Sequence, residues 1–413
     1  MHSPSPASDS KMDSPSAPFS IKPLMFSVFV CSMAMMAFVA VAAPIARILG
    51  MAPWQIGATM TISGVAWLVM ARIWGQKSDK YGRRPIILIG LGGFAITYFL
   101  LTLFIDGALR TGMASWLAFA GIMIGRCLTG FFYAAVPSAN TALVADNVPP
   151  QQRAGALAAI GAANAAGMAI GPGIAGVIAT ISLSLPLYAT AILPLIALTL
   201  LWRVLPRQQP LATPNKGDMR LFDLRLRRPM AMSFIAMFSV SVSQVVVGFY
   251  ALDRLHLGPT EAASVAGIAL ACVGISLVIS QAALSKLNKS PETMIRYGAI
   301  IGGAGYLLTA IATTPPLLWV CYAVMAFGMG WVFPSVSAIA ANSVERHEQG
   351  VAAGTVGAAQ GLGIVIGPIF GTAVYTIEMS LPYLLIGLLL VVSGLYMART
   401  NRRHEGKGLS EPR

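Results

Sequence analysis

Apolar residues fill most of this chain in long uninterrupted runs, and polar residues gather between them. Twelve runs reach roughly twenty residues, the length that crosses about 30 Å of hydrocarbon as an α-helix. They lie at about 24–43, 54–74, 86–105, 116–145, 155–180, 187–204, 230–252, 262–283, 294–314, 317–341, 351–375 and 381–399. A transmembrane β-barrel would instead show segments of about ten residues with alternating polarity. The pattern therefore predicts an all-α polytopic membrane protein with twelve transmembrane helices.

Composition and charge agree with a membrane protein. The chain is 56% hydrophobic and 10% charged, whereas soluble domains carry about 25% charged residues. The net charge of +13 alone would also suit a nucleic-acid-binding protein, but the cations cluster at Lys77 to Arg84, Arg220 to Arg228 and Arg399 to Lys407. Loops rich in Lys and Arg stay on the cytoplasmic side of a membrane. This distribution predicts that both termini lie in the cytoplasm and that nucleic acid is no partner, and we expect the membrane to be a bacterial-type inner membrane.

The sequence repeats itself around the fifth and eleventh spans. At a constant offset of 196 residues, Gly161, Asn164, Gly167, Gly171 and Pro172 correspond to Gly357, Gln360, Gly363, Gly367 and Pro368. The repeat predicts two pseudo-symmetric six-helix bundles at 23–205 and 230–400, joined by a polar cytoplasmic linker at 206–229. Parallel repeats of this kind enclose a site near the membrane midplane in transporters.

The two ends of the chain are predicted to be cytoplasmic tails. Residues 1–22 are rich in Ser and Pro and are expected to be disordered, and 401–413 form the second tail. A cleavable signal peptide that ends in the small residues Val41 to Ala43 is the competing interpretation. The long polar leader, and Pro44 directly after that cut, favour the tail.

A basic hairpin lies between the second and third runs and carries a family pattern. The pattern consists of Gly75, Asp79, Lys80, Gly82, Arg83 and Arg84. Together with the twelve-span plan it resembles the major facilitator superfamily. Three further segments resemble its twelve-span drug/proton antiporters of the multidrug and tetracycline efflux type: residues 43–57, the surroundings of Arg126, and 167–176. The resemblance covers residues 23–400, although Ala175 stands where the third segment usually has a second Gly.

The resemblance implies that the hairpin is part of an inner gate. In the family, the Asp at position 79 joins the two halves when the inner side is closed, and Arg83 pairs with Asp146. We hypothesise that Asp79, Arg83 and Asp146 form a latch that favours the outward-facing state. The members of this candidate gate are Gly75, Asp79, Lys80, Gly82, Arg83, Arg84 and Asp146. The alternative is that the hairpin cations only determine topology.

Arg126 is the only ionisable residue placed deep within a span. A guanidinium at that depth costs at least roughly 2.5 kcal/mol on insertion scales, so it is a functional candidate. Helical spacing puts Thr129 and Tyr133 on its face. Arg126 would bind an anionic or polar substrate group or tune a nearby proton acceptor; the structural alternative is hydrogen bonding to carbonyls of a neighbouring helix.

Several other residues are candidates for the wall of a substrate cavity. They are Asn164, Gln244, Tyr250, Trp331 and Gln360, with Met33 and Met36 as adaptable apolar surface. Asn164 and Gln360 occupy matching repeat positions. Each of these polar or aromatic residues has the alternative role of an interhelical contact or an interfacial anchor.

The fifth span carries small residues in a pattern that resembles the antiporter motif. Gly167, Gly171 and Gly176 would let neighbouring helices approach closely, and Pro172 would bend the span. A bent, tightly packed span suits a seal against substrate leak, and simple packing is the alternative.

The sequence favours a secondary active transporter that exports a small amphipathic, drug-like compound by alternating access. Proton antiport, with the proton gradient as energy source, is implied by the resemblance only, because the carboxylates near the spans lie at their ends. On the outer side these are Asp106, Asp253, Glu261 and Glu378, and on the inner side Asp79 and Asp146. The alternatives are a dedicated exporter of a secreted metabolite such as a siderophore, and an uptake permease. We expect a monomer without a cofactor. We also expect no metal site and no enzymatic activity, since all four histidines fall in tails or loops.

Overall fold

The computed structural model describes residues 20–205, 223–284, 287, 289–345 and 348–408, without the side chains of 150, 154 and 397–408. The predicted disordered tail, except for its last three residues, and most of the predicted linker lie outside this part of the chain. Within it the structure is helical and contains no strand. The prediction of an all-α protein is confirmed.

Thirteen α-helices follow one another along the described chain. They are α1 (Lys22–Ile48), α2 (Pro53–Tyr81), α3 (Arg83–Thr111), α4 (Ser115–Tyr133), α5 (Ala135–Asn147), α6 (Pro150–Ala179), α7 (Leu185–Val204), α8 (Arg227–Asp253), α9 (Pro259–Leu284), α10 (Pro291–Thr309), α11 (Pro315–Asn342), α12 (Gln349–Tyr375) and α13 (Leu381–Gly408). A short 3₁₀ helix, Leu224–Leu226, precedes α8.

Ten helical segments are long and apolar enough to cross a membrane, when α4 and α5 count as one. The apolar part of α13, Leu381–Tyr396, is shorter. Helix α10 has 19 residues and begins with Glu292 in its first turn. Helix α10 packs against α11 and α13, and α13 also packs against α8 and α12, so they take the places of the predicted ninth and twelfth spans. The chain is therefore a multi-pass membrane protein.

The predicted fourth span, 116–145, is interrupted by one residue and is not a continuous helix. Ala134 separates α4 from α5, although its N–H still donates to the carbonyl of Gly130 at 3.2 Å. Pro137 has no N–H to offer the carbonyl of Tyr133, and its ring crowds that carbonyl. The missing hydrogen bond weakens the helix at the point where it is interrupted.

The helices form two bundles with equivalent internal contacts. In the first bundle α1 packs along α6, and in the second α8 packs along α12. Between the bundles α2 packs against α12 and α6 against α9. Each of these two contacts joins the second helix of one repeat to the fifth span of the other, so the interface keeps the symmetry of the repeat.

The two bundles touch at one end of the molecule and separate at the other. We call the end with the Gly75–Pro85 hairpin the hairpin side, and the other end the opposite side. Toward the opposite side the backbones nearly meet, since a Cβ added at Gly267 would lie 2.4 Å from the carbonyl oxygen of Pro172 and 2.7 Å from Cα of Gly176. Toward the hairpin side, a Cβ added at Gly161 of α6 or Gly357 of α12 would meet no atom within 4 Å. The interface is closed on the opposite side and open on the hairpin side.

Replacement of Gly267 by Ala is expected to destabilise this closed contact. The new methyl would face backbone atoms, which cannot rotate away, and overpacking of this kind costs about 1–3 kcal/mol. We expect a lower Tm for the detergent-solubilised protein. Gly107→Ala is the matched control, because its Cβ would lie in open space within α3. A Gly267→Ala variant that melts like the wild type would contradict a tight backbone contact.

Candidate substrate cavity and gates

A cavity of about 240 Å³ lies between the two bundles. Helices α1, α6, α8, α9, α11 and α12 all contribute to its wall. Five of the lining residues are methionines: Met36, Met168, Met237, Met325 and Met329. Methionine is flexible and polarisable, and its sulfur makes favourable contacts with aromatic rings. The wall can therefore adapt to apolar and aromatic molecules of different shape.

Gln244 and Ser241 supply the only polar side chains of the cavity wall among the described residues. The Ser241 hydroxyl donates to the carbonyl of Ile364 at 3.3 Å. No hydrogen bond between described residues involves the side chain of Gln244. Its amide is a free donor and acceptor that can bind one polar group of a ligand.

A polar cluster lies beside the cavity and unites two of the predicted residues. The hydroxyl of Ser32 on α1 hydrogen-bonds to Oδ1 of Asn164 and lies 3.2 Å from the hydroxyl of Tyr133. Nδ2 of Asn164 lies 3.7 Å from Sδ of Met168, which belongs to the cavity wall. Ser32 was missed by the sequence analysis, because nothing in its surroundings along the chain distinguishes it from other serines in apolar helices.

Arg126 is buried in the first bundle, with 4% of its surface exposed. Its guanidinium carbon lies 4.6 Å from the centre of the Phe38 ring, and Nη1 is 3.4 Å from Sδ of Met35. Nε has no hydrogen-bond partner, and no acidic side chain pairs with Arg126 in the described part of the chain. The guanidinium contacts side chains of α1 and not the backbone carbonyls that the structural alternative required. It is an uncompensated positive charge behind the helix that carries Met36.

Other residues predicted for the cavity lie outside its wall. The indole N–H of Trp331 donates to the carbonyl of Ser280 at 3.1 Å and so joins α11 to α9. The hydroxyl of Tyr250 donates to the carbonyl of Thr309 at 2.8 Å, deep in the second bundle. Gln360 is half-buried on α12 and, like Met33, is absent from the wall. Trp331 and Tyr250 find backbone acceptors within their own bundle, which holds their side chains away from the cavity.

The small residues of the fifth span pack α6 against two different helices. A Cβ at Gly167 would lie 2.3 Å from the carbonyl oxygen of Phe29, and one at Gly171 2.6 Å from that of Met33, both on α1. Gly176 faces α9 of the other bundle, and Pro172 borders the cavity. One helix thus connects the interior of the first bundle to the closed end of the interface.

On the hairpin side, Arg83 joins three segments of the first bundle. Its Nε donates to Oδ2 of Asp146 at 2.9 Å, and Nη1 donates to Oδ1 of Asp79. The same Nη1 lies 2.8 Å from the hydroxyl of Ser78. The pairing of Arg83 with Asp146 agrees with the resemblance. Asp79 is bound within its own bundle, at the end where the bundles are apart.

The remaining hairpin residues shape and anchor this turn. Gly82 has φ +93, a conformation that favours glycine, and it separates α2 from α3. Nη2 of Arg84 donates to the carbonyl of Trp202 at 2.6 Å. Nζ of Lys80 lies 5.4 Å from the centre of the Tyr81 ring, and the carbonyl of Gly75 accepts from Ser78 at 2.8 Å.

On the opposite side, an ion pair crosses from one bundle to the other. Nη2 of Arg47 on α1 lies 2.6 and 2.8 Å from the two carboxylate oxygens of Asp253 at the end of α8. The hydroxyl of Tyr375 on α12 donates to Asp253 at 2.8 Å. We call Arg47, Asp253 and Tyr375 the clasp. Asp253 lies at the end of its helix, as the sequence predicts, and its side chain is only 18% exposed.

A second contact fixes the end of the linker to the second bundle. Arg225 donates from Nη1 and Nη2 to the carboxylate of Glu348, both at 2.9 Å. It also pairs with Asp223, and the hydrogen bond from the Arg225 side chain lowers the pKa of the Asp223 carboxyl. Because Glu348 directly precedes α12, the linker end is tied to the helix that packs against α2.

Two helical repeats around one central cavity define a membrane transporter. The sequence profile described as Major Facilitator Superfamily matches residues 24–314 and 229–412. The chain belongs to the major facilitator superfamily, and the family predicted from the motifs is confirmed.

Resistance proteins are among the curated relatives. The class G tetracycline resistance protein of Vibrio anguillarum is 29% identical over 334 residues, which cover 78% of this chain and 80% of the relative. Multidrug resistance protein 1 of Bacillus subtilis is 26% identical over 352 residues, which cover 82% of this chain and 86% of the relative. The predicted similarity to the tetracycline and multidrug branch is thus confirmed.

Solved structures share the fold. A bacterial homologue of the human lysosomal transporter Spinster, in an inward-facing and occupied conformation, superposes with a TM-score of 0.75 at 12% identity, covering 92% of this chain and 96% of that one. The human organic anion transporter MFSD10 superposes with a TM-score of 0.64 at 18% identity, covering 91% and 98%. At these identities the likeness concerns the fold alone.

Proposed function

We propose that the protein is a secondary active transporter that exports small amphipathic, drug-like compounds across the inner membrane by alternating access. One observation carries the proposal: a cavity lies between two repeats whose interface is closed on one side and open on the other. A rocking movement that opens the clasp and closes the hairpin side would expose the same cavity to the other compartment.

The direction of export is supported by charge and by the relatives. The cation-rich hairpin supports a cytoplasmic location of the hairpin side, so the cavity would receive its substrate from the cytoplasm in this conformation. The relatives named above are tetracycline and multidrug resistance proteins. An apolar, methionine-rich wall suits the amphipathic compounds that enter cells through the bilayer.

Proton antiport is part of the proposal, with coupling through a group at the periphery. Every described carboxylate lies within six residues of a helix end or in a loop, and none belongs to the cavity wall. Asp146 on the hairpin side and Asp253 on the opposite side are the best placed, since each pairs with an arginine that joins several helices.

The coupling is tested with purified protein in liposomes. An imposed pH gradient should drive accumulation of a resistance-profile substrate, and an ionophore that collapses the gradient should stop it. Asp146→Asn and Asp253→Asn, measured separately, should show which carboxylate is required, with Glu261→Gln as an exposed control. Accumulation that ignores the gradient would contradict antiport but not transport.

The function itself is tested by susceptibility and export profiling of cells that lack or overproduce the protein. We expect higher tolerance to several unrelated amphipathic compounds on overproduction and lower tolerance on loss. Loss of one secreted metabolite from the medium, without any change in tolerance, would contradict drug export and indicate a dedicated exporter.

A further inference from the structure

The charges around the cavity restrict the class of substrate. We propose that the cavity binds aromatic amphipaths that are neutral or carry one negative charge, and that it rejects analogues with a fixed positive charge. The inference rests on the proposed transport function and adds the charge and chemical class of the compound.

The described cavity wall offers no carboxylate that could pair with a cation. The wall contains no charged side chain among the described residues. On the hairpin side, the carboxylates of Asp79 and Asp146 are held by Arg83, and that of Glu348 by Arg225. A cation that leaves water for this site would lose its hydration without gaining a partner, which is costly in an apolar environment.

The fixed charge nearest to the middle of the membrane is positive. Arg126 contacts Met35 and Phe38 on α1, and the adjacent Met36 faces the cavity. One helix therefore separates the guanidinium from the ligand site. No acidic group neutralises Arg126 within the described chain. Its electrostatic field therefore offsets part of the free-energy cost of desolvating an anion and adds to the cost of desolvating a cation.

A second arginine lies at the open mouth. Arg72 is exposed, and it lies four residues after Leu68 and eleven after Thr61, so all three share one face of α2. Leu68 lies near Gly361, and the Thr61 hydroxyl donates to the carbonyl of Val365 at 2.7 Å, both on α12. Arg72 is thus on the face directed at the second bundle, beyond the last of these contacts. It makes the entrance attractive to anions.

Two features select an aromatic amphipath among neutral and anionic compounds. The five methionine side chains place sulfur atoms around the cavity, and sulfur packs favourably against rings. The free amide of Gln244 provides one hydrogen-bonding position in a wall whose other polar side chain, Ser241, already donates to the carbonyl of Ile364. A flat apolar body with a single polar group satisfies both.

The test uses three naphthalene probes of different charge: neutral 2-naphthamide, anionic 2-naphthoate and cationic 2-naphthyltrimethylammonium. Binding to the full-length protein in nanodiscs is measured by calorimetry, and translocation is measured in proteoliposomes. We expect the amide and the carboxylate to bind, and the ammonium to bind at least about tenfold more weakly than the amide. Equal or tighter binding of the ammonium would overturn the inference, and so would failure of all three probes to bind.

Two variants of Gln244 separate charge from hydrogen bonding. Gln244→Glu should raise the affinity for the ammonium about tenfold and lower that for 2-naphthoate. Gln244→Leu, the matched control, should lower the affinity for 2-naphthamide without raising the affinity for the ammonium probe. An ammonium affinity that rises equally in both variants would contradict electrostatic exclusion.

The variant Arg72→Gln tests the role of the entrance in uptake. Arg72 is not part of the cavity wall, so the substitution leaves the wall unchanged. We expect the initial uptake of 2-naphthoate to fall about threefold at low ionic strength, with that of 2-naphthamide unchanged. An equal change for both probes would contradict the role of Arg72. Binding of the probes without translocation would overturn the proposed transport function and leave the charge preference of the cavity standing.

Discussion

Reversal of both charges of the clasp, in the double variant Arg47→Asp with Asp253→Arg, is expected to restore transport that either reversal alone reduces at least about tenfold. Arg47 and Asp253 form the only ion pair between the bundles among the described residues. Loss of a partly exposed pair costs about 1 kcal/mol or less, equivalent to about a fivefold shift between conformations. A single reversal also places two like charges in contact, which adds repulsion and favours an open opposite side.

Transport is measured as the initial rate in proteoliposomes, and the conformational shift by labelling of Ala43→Cys. Ala43 is 2% exposed and faces Gly248 of the second bundle, and the four native cysteines are replaced beforehand. A membrane-impermeant maleimide should react slowly in the wild type and faster after a single reversal. Arg110→Asp is the control, because Arg110 pairs with Asp106 inside the first bundle. Unchanged labelling after Arg47→Asp would exclude the clasp as a gate.

Replacement of Asp79 by Asn is expected to reduce transport to below about a tenth of the wild-type rate at normal surface expression. In this conformation Asp79 is bound by Arg83, on the side where the bundles are apart. Closure of that side would bring the end of α2 toward the start of α12, where unpaired N–H groups favour a carboxylate by roughly 0.3–1 kcal/mol. Asn keeps the size of the side chain but lacks the negative charge. That charge binds Arg83 in this conformation and would bind the start of α12 when the hairpin side is closed.

Lys77→Gln is the matched control within the same hairpin. Nζ of Lys77 lies 5.2 Å from the centre of the Trp74 ring, and the lysine contributes a charge but no latch contact. We expect Lys77→Gln to transport within about twofold of the wild type. An Asp79→Asn variant with normal transport would refute the latch hypothesis and leave the hairpin as a determinant of topology.

The helices and the family could be predicted because the bilayer imposes strong rules on sequence. A spanning helix must be apolar over its whole length, so the runs are visible without tertiary information. The internal repeat located Gly167 and Gly171 of α6, which contact α1, and the motif resemblance located Gly176, which contacts α9. The exact course of a helix was harder to predict: Pro137 interrupts the fourth span, yet Pro334 at the equivalent place in the tenth leaves α11 continuous.

The candidate site was only partly predictable, since its members are ordinary residues brought together from distant parts of the chain. Arg47 and Asp253 are 206 residues apart and resemble any charges at the ends of helices. The chain contains 21 methionines, and only packing shows which five face the cavity. Gln244 and Met36 were correctly predicted as lining residues. Trp331 and Tyr250 were also predicted for the wall, but they donate to backbone carbonyls elsewhere, and helical spacing along the sequence does not reveal such acceptors.

The approach of Gly176 to Gly267 consists of main-chain atoms on both helices, and so the distance between α6 and α9 there does not depend on any side chain. Met168 and Leu270, on the same two helices, belong to the ligand-binding wall. Substitutions at such wall positions can alter which compounds are recognised and leave the spacing of α6 and α9 intact. A chain built in this way can acquire new selectivity by single point mutations while its moving parts keep their spacing.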